Sequence, residues 1–136
     1  MSKPAPFTRF EDIAAWQRSR ALTCALYTLT AEDGCRTDFA LRDQLRRAGI
    51  SVMSNIAEGF ERDGNREFIQ FLSIAKGSLG EVRCQLYVAF DAGYITEQRL
   101  NGLVRETQEI RAMLHGLIIH LEKSARRGSK YDRRGY

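Results

Sequence analysis

The sequence predicts an all-α protein that folds as an antiparallel, up-and-down bundle of four helices. Apolar residues recur at steps of three and four in four segments, the spacing that keeps one face of a helix turned toward a partner. Polar stretches containing glycine separate the segments, as Asp63, Gly64 and Asn65 do. The predicted helices cover about residues 11–29, 38–61, 65–92 and 97–123. A chain of 136 residues is one domain by size.

The second and third predicted helices form a helical hairpin around which the rest of the chain is organised. The apolar stripe of the second helix comprises Leu41, Leu45, Ala48, Val52 and Ile56. The stripe of the third comprises Phe68, Leu72, Ala75, Leu79, Val82, Leu86 and Ala89. Gly64 or Asn65 caps the start of the third helix, and Gly93 ends it as a glycine C-cap.

The two outer helices complete the predicted bundle. In the first helix, Glu11 and Asp12 lie in the first turn, at the positive end of the helix dipole. Its stripe is expected at Ile13, Trp16, Ala21, Cys24 or Ala25, and Leu29, with Trp16 as a core anchor. Thr96 is the expected N-cap of the fourth helix. The fourth stripe comprises Leu100, Leu103 or Val104, Thr107, Ile110, Leu114, Leu117 or Ile118, and Leu121.

Cysteine and histidine usage excludes the common metal and disulfide frameworks. The three cysteines are widely separated and form no CxxC pair, so neither a disulfide nor a zinc site is expected. Cys35, in the polar loop after the first helix, is expected to be the most exposed thiol and unreactive, because nearby aspartates raise its pKa. His115 and His120 are five residues apart and are expected to face solvent. No cofactor or metal is expected.

The protein is expected to be cytoplasmic and to avoid membranes. No apolar run approaches the roughly 18 residues of a membrane span, and the first residues lack the apolar core of a signal peptide.

Within the third helix, Gly77 and Gly80 each cost about 1 kcal/mol relative to alanine. With Ala75, Ser78 and Cys84 they are expected to form a notch for close packing of another backbone.

The second helix carries more apolar surface than one neighbouring helix can cover. Beyond the core stripe, its apolar arc widens to about 200°. The residues that widen it are Ile50, Met53, Ala57 and Phe60. We expect these residues to be buried by another subunit, so the protein is predicted to be a homo-oligomer.

The remaining side of the second helix is polar. Arg47, Ser51, Asn55, Glu58 and Arg62 fall within about 80° of one another on an ideal helix. This stripe is either a functional site, a solvated face, or a hydrogen-bond network that sets the register of the second and third helices. For Asn55 and Glu58 the structural interpretation is favoured, and Asn55 is expected to be partly buried and hydrogen-bonded.

Four sequence blocks carry a family resemblance over about residues 7–121. QLRRA, SNIAEG, EFIQFLSIAKGS and a final QL with GY resemble the bacterial four-helix-bundle family named for proteins encoded in intervening sequences of 23S ribosomal RNA genes. That family is distantly similar to the accessory protein of diversity-generating retroelements. The resemblance implies a ring-like homopentamer, for which nucleic-acid binding is proposed.

The matching motif positions are Gln44, Arg46, Arg47, Ser54, Asn55, Ala57, Glu58, Gly59, Glu67, Phe68, Gly77 and Ser78. The resemblance adds Ser54 and Ser78 to the polar group of Ser51, Asn55 and Glu58. Met53, Gly49 and Gly64 depart from the residues common in the family, which are proline, alanine and serine. These departures concern local helix geometry.

The formal charge of +4 is concentrated at the end of the sequence. Residues 124–136 hold five basic residues and one acidic residue, and residues 1–123 are neutral overall. The five basic residues are Arg126, Arg127, Lys130, Arg133 and Arg134. This segment is expected to be a flexible tail, and its interleaved tyrosines suit RNA or single-stranded DNA. A plain solubilising tail is the alternative.

We therefore expect a non-enzymatic homo-oligomer that binds RNA or DNA through these five residues and through Arg46, Arg47 and Arg62. A nucleic-acid enzyme is a further expected partner. The alternative function is a protein-interaction scaffold or adaptor without nucleic-acid contact. An enzyme is the third function class and the least favoured, because no nucleophile–base pair or phosphate loop is recognisable. The pair of Glu58 and Asn55 is the only candidate for acid–base chemistry, and a weak one.

Overall fold

A computed structural model describes the backbone of residues 7–135 and the side chains of residues 7–124. Four α-helices account for nearly all of this range: α1 Ala14–Thr30, α2 Phe39–Glu61, α3 Asn65–Asp91 and α4 Glu97–Gly135. Short 3-10 helices, Phe10–Asp12 and Cys35–Thr37, precede α1 and α2. Residues 7–135 contain no β-strand. The all-α prediction is therefore confirmed.

Side-chain contacts show that successive helices run antiparallel. Between α2 and α3, Ser51 contacts Ser78 near the middle of both helices, while Gln44 contacts Gln85 further along. The residue numbers thus rise along one helix as they fall along the other. Asn65 donates to the carbonyl of Leu121 across α3 and α4. Since α1 also packs against both α2 and α4, the four helices close around one core.

The core stripes predicted for α2, α3 and α4 are confirmed. All five stripe residues of α2 and all seven of α3 are buried. In α4, the buried positions include Thr107, whose hydroxyl donates to the carbonyl of Val104 at 2.6 Å. A fully buried leucine or isoleucine contributes about 1.5–3 kcal/mol relative to an exposed one. The shared apolar stripe is therefore the main source of stability for the hairpin.

The predicted face of α1 was wrong in part: Ile13 and Leu29 are buried and Trp16 packs against the core, as predicted, but the middle of the helix differs. Ala21 and Cys24 are exposed, and Leu22 and Leu26 are buried in their place. The buried face of α1 also holds three hydroxyl residues: Ser19, Thr23 and Thr30. Each hydroxyl donates to the carbonyl four residues earlier, at 2.7–2.8 Å. Because these bonds satisfy the hydroxyl donors internally, polar residues can pack against α2, which a purely apolar pattern does not reveal.

The start of α1 also differs from the prediction. Glu11 and Asp12 belong to the preceding 3-10 helix, and the first turn of α1 contains no acidic residue. Trp16 is half-buried and packs against the core. Its ring meets Phe10 edge to face, with 5.1 Å between the ring centroids. Trp16 therefore anchors the 3-10 helix to the bundle.

The loop between α1 and α2 is packed, and Cys35 is buried within it. The prediction that Cys35 is the most exposed thiol was wrong, since its exposure is 0% and Cys24 and Cys84 are the exposed cysteines. Tyr94 donates a hydrogen bond to the Asp38 carboxylate at 2.9 Å and tethers the loop to the end of α3. Burial, followed by the Asp38 charge, raises the pKa of the Cys35 thiol, which disfavours the reactive thiolate.

Helix ends largely follow the sequence. Asp38 caps α2 by accepting from the backbone N–H of Leu41. Thr96 accepts from the N–H of Arg99 in the same way. Gly64 occupies the N-cap of α3 with φ of 103° and no side-chain cap, so the turn uses glycine for its backbone conformation. Gly93, with φ of 82°, ends α3 as predicted.

Close packing involves glycines of α2 and not those of α3. A Cβ added at Gly59 would lie 2.7 Å from the Cβ of Phe71 and 2.9 Å from Cδ1 of Phe68. At Gly49 it would lie 3.0 Å from Leu26. Around Gly77 and Gly80 nothing in the described structure lies within 4 Å of such an atom. The predicted packing notch on α3 is therefore absent within the described chain.

The fourth helix continues to Gly135, beyond its predicted end near Lys123. The apolar stripe ends at Leu121, which explains why periodicity placed the boundary too early. No proline follows, and Gly128 disfavours the helix by only about 1 kcal/mol. Nowhere in the described residues is a helix both long and apolar enough to cross a membrane.

Gly59→Ala should destabilise the bundle by about 1–3 kcal/mol, because the new methyl group would overlap Phe68 and Phe71. Gly77→Ala is the matched control within a helix. It should stabilise the fold by about 1 kcal/mol, because the added methyl group meets no neighbour and alanine favours the helix. Urea unfolding of both variants measures the difference. Equal effects of the two substitutions would contradict the close approach of α2 and α3.

Candidate nucleic-acid interface

The side chain of Arg46 makes its contacts within the bundle. Its Nε donates to the hydroxyl of Thr30 at 2.8 Å, and its guanidinium lies 4.6 Å from the ring centroid of Tyr27. The side chain is only partly exposed. Arg46 therefore ties the start of α2 to the end of α1.

Arg62 is exposed but paired. It donates to Glu58 at 2.9 Å, lies 3.9 Å from Glu67, and covers the ring of Phe71 at 5.1 Å. Two carboxylates thus offset its charge at the turn between α2 and α3. Of the three predicted bundle arginines, Arg47 is the one with no hydrogen bond, ion pair or cation–π contact among the described side chains, whereas Arg46 contacts Thr30 and Tyr27 and Arg62 pairs with Glu58.

Arg47 lies in a groove of about 390 Å³ between α2 and α3. The other lining residues are Gln44, Ala48, Ser51, Glu81 and Gln85. Gln85 donates to Gln44 at 3.3 Å, while its own Oε1 is buried without a partner in the described structure. The groove is polar, but Glu81 places a negative charge beside Arg47. This balance does not favour a polyanion.

The predicted polar network forms in part. Ser51 and Ser78 share a hydrogen bond of 2.7 Å, and Asn55 donates to the carbonyl and hydroxyl of Ser51 at 2.8 and 3.0 Å. Asn55 is half-buried and hydrogen-bonded, as predicted. Ser54 and Glu58 are exposed and lie outside this network. Glu58 pairs with Arg62 instead, so no contact joins it to Asn55 as an acid–base pair would require.

The proposed interface residues differ in exposure. Ile50 is 44% exposed, and Met53 and Ala57 are half-buried. Phe60 packs against the chain's own core, with its ring 6.0 Å from Phe68. Ile50 is therefore the clearest uncovered apolar residue of the four.

Three further apolar side chains are exposed on α3, where no interface was predicted. Ile74, Tyr87 and Val88 are each about half exposed. The spacing of Ile74 and Val88 places them on the same outward face of α3. The periodicity of α3 is dominated by its core stripe and did not indicate these exposed positions.

Arginines between α1 and α4 are paired. Arg18 binds Glu106 at 2.7 Å and Glu109 at 2.6 Å, and Arg99 binds Glu32 at 2.7 Å. These hydrogen bonds hold the pKa values of Glu106 and Glu32 below their ordinary 4.5. The resulting stabilisation is present above pH 4.5 and is lost as pH falls through the lowered values. The ion pairs of Arg18 and Arg99 therefore stabilise the fold.

Arg83 and Arg111 were overlooked by sequence reasoning. Both are exposed, and they line one groove between α3 and α4. The sequence offers no signal for this pairing, because the residues lie on different helices and are far apart in the chain. The helical register of α3 against α4 was needed to bring them together.

The five basic residues of the C-terminal segment lie where the structure describes the backbone alone. Their predicted contacts are outside the described side chains. Among residues 7–124, no three potential metal-ligating side chains cluster together. His115 and His120 are exposed, as predicted.

Asn55→Leu should lower the free energy of unfolding by about 1–3 kcal/mol, because Ser51 loses the amide donor of Asn55, which leucine cannot replace, and keeps only its hydrogen bond to Ser78. Thermal unfolding should show a melting temperature several degrees lower. Glu58→Gln, at an exposed ion pair, is the control and should change stability by less than about 1 kcal/mol. Unchanged stability of Asn55→Leu with loss of partner binding would assign Asn55 to a binding site.

Comparison with known structures supports the fold. A crystal structure of a protein of unknown function from the S23 ribosomal protein family of Bacteroides thetaiotaomicron VPI-5482 is similar, with a TM-score of 0.70 and 22% sequence identity. The similarity covers 77% of this chain and 98% of that chain. No curated protein is significantly similar in sequence.

The family resemblance carried by the four sequence blocks is confirmed. The family model described as 23S rRNA-intervening sequence protein matches residues 11–116, which include α1, α2, α3 and the first half of α4. The chain therefore belongs to the 23S rRNA-intervening sequence protein family.

Proposed function

We propose that the chain is a non-enzymatic subunit of a homo-oligomer that binds nucleic acid, with RNA favoured over DNA. The observation that carries the proposal is the distribution of charge. The formal charge of +4 resides in residues 124–136, and the rest of the chain is neutral. The family's link to an intervening sequence in 23S rRNA supports an RNA-related role in the cytoplasm.

The continuation of α4 supports this site. The helix extends through Gly135, and an α-helix advances about 100° per residue. On that geometry the five basic positions fall within about 120° of one another. The positions are 126, 127, 130, 133 and 134. A one-sided row of basic residues suits the phosphate backbone of a strand, where each neutralised phosphate releases counterions.

Assembly would strengthen the same effect. Ile50 on α2 is uncovered, and the family resemblance implies a homopentamer. Five chains would together carry about twenty net positive charges. Several C-terminal helices on one ring would engage one strand at high effective concentration. We therefore propose the pentamer as the binding form.

A protein-interaction scaffold is the second candidate. The exposed apolar side chains on α3, namely Ile74, Tyr87 and Val88, favour it, because one interface on α2 would leave them uncovered. A nucleic-acid enzyme as the bound protein would reconcile the scaffold with an RNA-related role.

Ile50→Asp should weaken assembly more than it weakens the fold, because it places a charge in the proposed interface while leaving the core stripe intact. Light scattering should show smaller particles, and circular dichroism should show retained helix. Ile119→Asp, at an exposed isoleucine of α4, is the control and should leave the particle size unchanged. A stable 15.5 kDa monomer of the unaltered chain would reject the oligomer.

Truncation after Ser124 should leave the bundle folded and assembled, since it removes no buried residue of the described core, and should abolish most RNA and DNA binding. Binding of the full chain should fall steeply with salt, by about 0.7–0.9 log units per phosphate contact for each tenfold rise. A full-length control with glutamine at the five basic positions separates the effect of lost charge on nucleic-acid binding from the effect of lost chain length. Equal gel shifts by the truncated and full-length chains would move the site to the bundle surface.

A further inference from the structure

A shallow groove of about 110 Å³ runs between α3 and α4. Its lining comprises Leu79, Gly80 and Arg83 from α3 and Thr107, Gln108 and Arg111 from α4. The lining contains two guanidinium groups and no carboxylate. This composition differs from the groove between α2 and α3, where Glu81 accompanies Arg47.

Arg83 and Arg111 have no ion-pair partner within 4.0 Å among the side chains of residues 7–124. Arg18, Arg62 and Arg99 each have one at 2.6–2.9 Å. Other exposed arginines also lack a carboxylate, but Arg83 and Arg111 come from two helices to line a single groove. Two cations in one groove repel each other unless an anion lies between them.

The floor of the groove is open at Gly80. A Cβ added there would have no neighbour within 4 Å, so no packing contact requires glycine at this position. Glycine nevertheless costs about 1 kcal/mol relative to alanine inside a helix. Its absent side chain leaves the helix backbone accessible in the groove that Arg83 and Arg111 also line.

The cationic surface extends along α3. Lys76, Gly80 and Arg83 follow one another at steps of four and three, which places them on one stripe. The distance along the helix from Lys76 to Arg83 is about 10 Å. Lys76 is also without an ion pair within 4.0 Å among the described side chains. The basic surface thus extends along α3 from Lys76 to Arg83.

Resting on the proposed function, we propose that the α3–α4 groove binds phosphate groups of a nucleic-acid strand through Arg83 and Arg111. A guanidinium presents paired N–H donors that match phosphate oxygens. The Gln108 amide adds a neutral donor at the same groove. Since no aromatic ring lines the groove, it offers phosphate contact and no stacking of bases. The bundle itself then contacts the strand, together with the C-terminal helix.

The test compares two full-length double variants of equal charge. Arg83→Ala with Arg111→Ala removes both groove guanidiniums. Arg66→Ala with Arg105→Ala removes two exposed arginines from the same helices outside the groove. All four positions are exposed, and circular dichroism should show that both proteins retain their helices.

Binding of a single-stranded RNA is measured across a range of salt concentrations. The groove variant should lose two phosphate contacts, so the slope of log affinity against log salt should become shallower by about 1.4. The control variant should keep nearly the slope of the unaltered chain. A groove variant with an unchanged slope, while the unaltered chain binds RNA, overturns the proposal and leaves nucleic-acid binding intact.

A phosphate titration distinguishes a strand from a small phosphorylated ligand. Inorganic phosphate should shift the backbone amide resonances of Gly80 and Gln108 in the unaltered chain and leave them unshifted in the groove variant. If the unaltered chain binds no RNA but shows these shifts, the groove binds small phosphate compounds and the proposed nucleic-acid function is wrong. Absence of both RNA binding and phosphate shifts overturns the groove site.

Discussion

The close approach of α2 and α3 is the constraint on which the rest of the molecule depends. At Gly59 the absence of a side chain lets α2 lie against Phe68 and Phe71. This contact sets the register that lets the two core stripes face each other along their whole length. The same register brings Ser51 and Ser78 within 2.7 Å. With the hairpin formed, α1 and α4 cover its two apolar sides, and the grooves on the surface follow from that arrangement.

Sequence periodicity was sufficient where apolar residues alone mark the buried face. It identified the stripes of α2, α3 and α4 because nearly all their buried positions are aliphatic or aromatic. It was right only in part for α1, where Ser19 and Thr23 are buried and their hydroxyls donate to carbonyls of the preceding turn. It also misplaced the tightly packed glycines, since composition cannot distinguish Gly59, which touches a neighbour, from Gly77, which does not. Such differences depend on which helix lies opposite.

The candidate site was harder to predict, because an arginine's role depends on its partners across helices. Arg46 and Arg62 were both predicted to bind nucleic acid, yet in the structure Arg46 donates to Thr30 and Arg62 donates to Glu58. Arg83 and Arg111 carry no sequence signal, yet they line one groove without a carboxylate. The helical bundle is thus neutral overall, and its paired charges stabilise the fold. On our account, Arg83 and Arg111 of the α3–α4 groove, which have no carboxylate partner among the described side chains, bind the polyanion together with the basic residues of the C-terminal helix.

Ultraviolet cross-linking in the native host, followed by purification of the full-length chain, tests this account most directly. The account predicts that RNA or DNA is recovered covalently attached. Mass spectrometry should locate the cross-linked peptides in residues 124–136, because ultraviolet light joins side chains to bases and the α3–α4 groove is proposed to contact phosphates. Recovery of the chain free of nucleic acid, with a second protein in fixed stoichiometry, would contradict the account and establish the scaffold function.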